Sequence, residues 1–188
     1  MTRFRLYFAS LFTYCVLVTS ALEVSPDSPC AKRCIDDPVN GNVSDGWASL
    51  TSHSDLSCFD WEYAGDNATD KGKKFKDCQE CMKWSGYKDE DPGAVEKDAG
   101  WFLFNNRATV DWCVFGRFAE DSNPNVSTAY PYKQCYSDCK SIEGASDYKI
   151  KANPGKYDWC DFNGNYITDA DKCVSCLYNA TSLTMVAL

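Results

Sequence analysis

The chain holds a single histidine, His53. In the stretch Ser52-His53-Ser54 it is the one imidazole base on offer, with no nucleophile signature around it, so Ser-His and Cys-His mechanisms lack their parts. Basic residues are also scarce: 19 Lys and Arg stand against 27 Asp and Glu, a net charge of −8. Nucleic acid and anionic membranes both need a basic face, so neither is an expected partner. Long apolar runs are missing beyond the N-terminus. The most apolar later stretch, residues 101–115, is broken by Asn105, Asn106, Arg107 and Asp111. Residues 183–188 fall short of the ~10–20-residue tail of a lipid-anchor signal. No membrane anchor is expected in the chain as given.

The N-terminus has the form of a secretory leader. Arg3 and Arg5 make a short positive region, residues 6–18 form an apolar run, and Thr19-Ser20-Ala21 supplies small residues for a signal peptidase. The run is shorter than the ~20 apolar residues that span a bilayer. We read residues 1–21 as the leader, with cleavage after Ala21 to within about two residues. Without Arg3 and Arg5 the mature balance is 17 basic to 27 acidic residues, net −10. Four sequons agree with an extracellular destination: Asn42-Val43-Ser44, Asn67-Ala68-Thr69, Asn125-Val126-Ser127 and Asn179-Ala180-Thr181. Each lacks a central proline and is expected on the surface.

Cysteine is the abundant residue. Twelve occur in the chain, and eleven remain once Cys15 leaves with the leader: Cys30, Cys34, Cys58, Cys78, Cys81, Cys113, Cys135, Cys139, Cys160, Cys173 and Cys176. In a secretory compartment this density reads as a disulfide framework. The spacing contains a repeat: C-x3-C, a lone Cys, C-x2-C and a lone Cys, then C-x3-C, a lone Cys and C-x2-C. The lone Cys58 is followed by Phe59-Asp60 and the lone Cys160 by Asp161-Phe162. The expected organisation is two related helical cysteine units in tandem, residues 28–128 and 129–188, in a mainly α, disulfide-rich fold. The tripeptide Asp-Trp-Cys, at Asp111-Trp112-Cys113 and Asp158-Trp159-Cys160, suggests a different register and is the weaker signal. In the first register the second unit lacks its last cysteine. Truncation, an intermolecular bridge and a free thiol are the competing readings, and six cysteines in one unit allow 15 pairings.

Local signals place the cysteine pairs on helices. Ser28-Pro29 before Cys30 offers a cap and a first-turn proline. Cys30/Cys34 and Cys78/Cys81 share helical faces at i, i+4 and i, i+3, and Phe75, Cys78 and Met82 continue a stripe. Thr168 with Asp171 resembles a capping box before Cys173, and Asp91-Pro92 another helix start. Trp101, Phe104, Ala108, Trp112 and Phe115 fit one helical face and read as core. Residues 86–100 read as a largely solvated connection.

Sharper chemistry finds little support. The two C-x2-C pairs could form a zinc site, but 91 residues separate Cys81 from Cys173, and oxidation competes for the thiols. A redox role is disfavoured by Glu80 between Cys78 and Cys81, which raises the thiol pKa. Asp161, Asn163, Asn165 and Asp169 approach a calcium loop, but Tyr166 stands where glycine is needed and Lys172 where glutamate is needed. No catalytic residue, cofactor-binding residue or metal ligand is assigned, and a non-enzymatic role is expected. Trp47, Trp61 and Tyr63 are candidates for a carbohydrate-stacking platform, against the plainer reading of core packing.

The segments Ser28-Pro29-Cys30-x3-Cys34, Lys74-Phe75-Lys76-Asp77-Cys78-Gln79-Glu80-Cys81, Trp101-Phe102-Leu103-Phe104-x8-Cys113 and Cys173-Val174-Ser175-Cys176-Leu177 together resemble a group of cysteine-rich secreted or cell-surface proteins of filamentous ascomycete fungi. The resemblance spans nearly the whole mature chain and carries no catalytic residues onto it. Longer members of the group continue through a final cysteine, often to a Ser/Thr-rich stalk and a membrane helix, whereas this chain stops at Leu188. The resemblance implies a secreted glycoprotein of the fungal surface or secretome, at the cell surface if the natural chain runs on to an anchor. Cell-wall polysaccharide or another extracellular protein is the expected partner. A carbohydrate-binding module is the most specific form of this expectation, and a secreted hydrolase or inhibitor its rival.

Overall fold

The computed structural model describes residues 21–36, 49–89, 96–152, 154, 157–162, 166–180 and 183–187. The fold is mainly helical, and its plan is one device used twice. Helix α1 (Ala31–Cys34) lies on α3 (Asp70–Trp84), joined to it by Cys30–Cys81 and Cys34–Cys78. Helix α5 (Tyr130–Cys139) lies on α7 (Tyr166–Asn179), joined to it by Cys135–Cys176 and Cys139–Cys173. In each pair the first cysteine bonds the last and the second bonds the third, so the helices run antiparallel. The Cα separations repeat too: 5.7 and 4.7 Å in the first pair, 5.6 and 4.3 Å in the second.

A fifth bridge, Cys58–Cys113, ties the segment before α2 (Asp60–Tyr63) to the far end of α4 (Asp98–Val110). Cys160, in a 3-10 turn at Asp158–Asp161, is unbridged. These pairings follow the cysteine order of the first register and give no support to one built on Asp-Trp-Cys. Closing loops of 34 to 55 residues, each bridge stabilises by about 4 kcal/mol through the unfolded state on the chain-entropy account.

Helix α4 joins the two halves. Its first turns bring Trp101, Phe104 and Ala108 into a core with Phe75, Cys78 and Met82 of α3. Its continuation, a π-helical turn at Asp111–Phe115, carries Cys113, Val114 and Phe115 into a second core with Cys135, Cys139, Cys173 and Leu177. Ile150 returns from the second cysteine unit to the first core. The helix pairs repeat in sequence order, but the cores they bury interleave. The remaining elements are a short hairpin, β1 (Arg117–Phe118) with β2 (Asp121–Ser122), helix α6 (Glu143–Asp147) and helix α8 (Thr184–Ala187).

The local signals fare unevenly. Ser28 does not cap α1, which starts at Ala31 with Cys30 as an N-cap that has no side-chain cap bond; instead the Ser28 Oγ accepts from Cys30 N at 3.0 Å while donating to the buried Asp98 at 2.6 Å. The stripe of Phe75, Cys78 and Met82 is fully buried. Of the aromatic face on α4, Trp101, Phe104, Ala108 and Phe115 are buried and Trp112 is half-buried. Thr168 does not stand at the helix start: α7 already begins at Tyr166, which packs against the second core. The described parts of the 86–100 connection, residues 86–89 and 96–100, are less solvated than their composition suggests. Asp98 is fully buried, and Lys88 pairs with Lys97 in a β-bridge. Asp91 and Pro92 lie outside the described residues.

Candidate functional site

An open cleft of about 640 Å³ lies between the β1–β2 turn and the chain just after α6. Phe118, fully buried, and Ile150, 1 % exposed, lie beneath it and present almost no surface of their own. Glu120, Asp121, Asp147, Lys149 and Lys151 form polar walls. Two wall residues, Ala119 (φ 55°) and Lys149 (φ 48°), hold left-handed backbone. Non-glycine residues adopt that conformation at a cost and only where their surroundings enforce it, which is common at binding surfaces.

The walls are pinned by electrostatics and stacking. His53 Nδ1 lies 3.1 Å from Asp121 Oδ2, and the imidazole stacks on Trp112 with 4.6 Å between ring centroids. Lys151 Nζ sits 5.3 Å from the centre of the Phe118 ring. Lys149 Nζ sits 4.9 Å from the Tyr148 ring and 3.4 Å from Asp158 Oδ2. The Lys149 pKa is raised, first by its hydrogen bond to Tyr148. Tyr148 in turn stacks on Phe162 at 4.2 Å.

Beneath the cleft lies a charged node. Asp111, the first residue of the π-helical turn, is fully buried with neither carboxylate oxygen hydrogen-bonded. Burial, and then the charge of Asp147, raise its pKa to about 8, while Arg117 and Arg107 pull the other way. Arg107, 3 % exposed, donates to the carbonyls of Ala145 and Tyr148 at 3.5 and 3.3 Å and lies 4.8 Å from the Trp159 ring. Burial brings its pKa down to about 10. Arg117 reaches Glu143 at 3.4 Å and Asp147 at 3.9 Å. The node thereby fixes α4, α6 and the wall residue Asp147 against one another.

A cleft with walls of both charges can hold a ligand that carries many hydroxyls. Acid–base work is less well provided for. Ser52 and Ser54 hydrogen-bond each other at 2.5 Å, and Ser52 also donates to Asp55. Among the described residues no hydroxyl or thiol is hydrogen-bonded to the second nitrogen of His53. The Cys160 thiol pKa is raised, by burial and then Asp161, which makes it a weaker nucleophile at neutral pH.

The sites expected from sequence are scattered. Cys78, Cys81, Cys173 and Cys176 are all committed to bridges, which removes the zinc and redox readings. No group of three or more potential metal ligands occurs among the described residues. Asp169 lies in the first turn of α7, and Asn163 and Asn165 fall outside the described residues. Asn67, Asn125 and Asn179 are exposed, as a glycan acceptor must be; Asn42 is outside the described residues. Trp47 is outside them too. Trp61 is exposed and stacks on Phe59, whereas Tyr63 is buried with its hydroxyl donating to Ser57 O at 2.5 Å. Tyr63 therefore belongs to the core. The most exposed tryptophan among the described residues, Trp84, ends α3, roughly 18 Å along the helix from Gly72, which seats Trp61's helix. Among the described residues, Trp61 and Trp84 form no shared platform.

Sequence reasoning missed the cleft. Its partners His53 and Asp121 are 68 residues apart, and no spacing rule links them. No protein-family model, curated protein or solved structure matches the chain. The class that the fold defines is a mainly helical protein stabilised by disulfides, of the kind that persists in oxidising extracellular surroundings. No helix among the described residues is long and apolar enough to cross a membrane.

Proposed function

We propose that this is a secreted, non-enzymatic glycoprotein of a fungal surface or secretome that works by binding, and that its ligand is a cell-wall polysaccharide. The observation that carries the reading is the cleft over Phe118 and Ile150, walled by Asp121, Asp147, Lys149 and Lys151. A sugar fits such a place because its hydroxyls need both donors and acceptors. Lysines supply donors and carboxylates supply acceptors. The resemblance to fungal cysteine-rich proteins and the exposed sequons at Asn67, Asn125 and Asn179 support the compartment.

The test is retention on insoluble chitin, β-glucan and cellulose. One polymer is expected to hold the protein, and Lys149→Ala with Asp121→Ala is expected to lower that retention by about tenfold, the loss of one or two charge-assisted hydrogen bonds. Indifference to all three polymers, or retention that the double variant leaves intact, overturns the proposal.

A further inference from the structure

We propose that the leader is cut between Ser20 and Ala21, and that the ammonium freed on Ala21 is the counter-ion of the buried Asp55 carboxylate. The inference deepens the secreted reading above and rests on it. Residues 21–25 are 8, 1, 0, 3 and 0 % exposed. They are also bonded from all sides. Ala21 pairs antiparallel with Ile35, Leu22 N donates to Cys34 O at 3.0 Å, and Glu23 N donates to Thr51 Oγ1 at 3.2 Å. Asn105 Nδ2 donates to Glu23 O at 3.0 Å. A segment that begins a mature chain ordinarily frays at the surface; this one runs through the interior.

Asp55 is the group that the cut would serve. It is 5 % exposed, and Ala21 N lies 3.2 Å from its Oδ1. Its Oδ2 accepts from Ser52 N at 2.7 Å and Ser52 Oγ at 2.8 Å. All three donors are neutral as the chain stands, and no lysine, arginine or histidine among the described residues forms an ion pair with it. A buried carboxylate without a counter-charge is costly. Hydrolysis of the Ser20–Ala21 bond supplies one. Water adds across the amide, Ser20 leaves with the leader as its carboxylate, and the Ala21 nitrogen becomes an amine that takes up a proton at neutral pH. The neutral 3.2 Å contact then becomes a charge-assisted one. Ser20 offers the peptidase a small residue beside the cut, as Ala21 would one position later. The later cut is the poorer fit. It would strip Asp55 of its Ala21 donor and place the charge on Leu22, whose nitrogen faces Cys34 O at a residue 1 % exposed.

The full chain, starting at Met1, should be expressed in a eukaryotic secretory host and the N-terminal peptide of the secreted protein read by mass spectrometry. Ala21 is the expected first residue. A start at Leu22 or beyond overturns the inference while leaving secretion intact, and a cell-retained chain still carrying Met1 overturns the secreted reading itself. A second measurement separates ion pairing from packing. Asp55→Asn keeps an acceptor for Ala21 but removes the charge, and is expected to lower Tm by on the order of 10 °C. In a protein carrying one extra glycine ahead of Ala21 the same substitution should cost less than half as much. An equal loss in both backgrounds overturns the pairing.

Discussion

Glu23 shows at one residue how this fold treats charge. Its Oε1 accepts from Ser49 Oγ, Leu50 N and Thr51 N at 3.1, 2.5 and 3.3 Å, while Oε2 has no partner. Complete burial outweighs those donors and raises its pKa to about 7. Asp111, raised to about 8, lacks even the donors. A carboxyl whose folded pKa exceeds its unfolded one holds its proton more tightly when folded. Its contribution is therefore greatest below the unfolded pKa and is lost as pH rises through the folded value. For Glu23 the window runs from 4.5 to about 7, and for Asp111 from 3.8 to about 8. The Glu23 shift corresponds to about 3 kcal/mol between its protonation states. Chemical denaturation at pH 5 and pH 8 checks this. Glu23→Gln and Asp111→Asn should each be less damaging, relative to the parent, at pH 8 than at pH 5. A variant-to-parent difference that does not change with pH would remove the buried, protonated carboxyl from the account. Neither residue could be singled out from sequence, because burial depends on what α4 and the 49–57 segment bring over them.

At the scale of elements, the stapled helix pairs are the legible part. C-x3-C gives one helix face with a rise of roughly 6 Å and C-x2-C gives another of roughly 4.5 Å, close enough to be cross-linked twice. The order of cysteines carried that much. It did not carry the antiparallel pairing, which follows from how the intervening loops return. Nor did it carry the packing of α2 on α3. Gly72, in the first turn of α3, is pressed against α2, where a Cβ would stand 2.0 Å from Glu62 O. Helix propensity alone favours alanine there by about 1 kcal/mol. The contact reverses the sign, since the obstacle is backbone and cannot rotate away, and Glu62 O also accepts from Thr69 N at 3.1 Å. Gly72→Ala is expected to destabilise by about 3 kcal/mol, measured by urea unfolding. Gly86→Ala, whose Cβ would meet nothing within 4 Å, should lie within about 0.5 kcal/mol of the parent. A stabilised Gly72→Ala would mean that α2 does not sit on α3.

Across the whole molecule, two half-cores share one helix, and the bridges decide how that shared helix is held. Cys58–Cys113 fixes the π-helical end of α4 to the segment preceding α2, so the first unit closes with three bridges. The second unit has two, and Cys160 stands where the third would begin. Cysteine order gave an odd number but placed Cys160 among the bridged residues, whereas it is the one left free; the interleaving of the cores was hidden, because Val114 and Ile150 look like any other apolar residues until the chain doubles back. The bridge scheme as a whole can be checked by intact mass after alkylation without reduction. One added group, mapped to Cys160, is expected, and the same count in denaturant, because the other ten mature cysteines are paired. The reaction should run more slowly in the folded protein than in denaturant at pH 8, since burial and Asp161 raise the thiol pKa and deplete the reactive thiolate. A doubled mass that reduction halves would instead make Cys160 a link between two copies. Three or more alkyl groups in the native protein would break the staple scheme, and with it the account of why so small a pair of cores holds together.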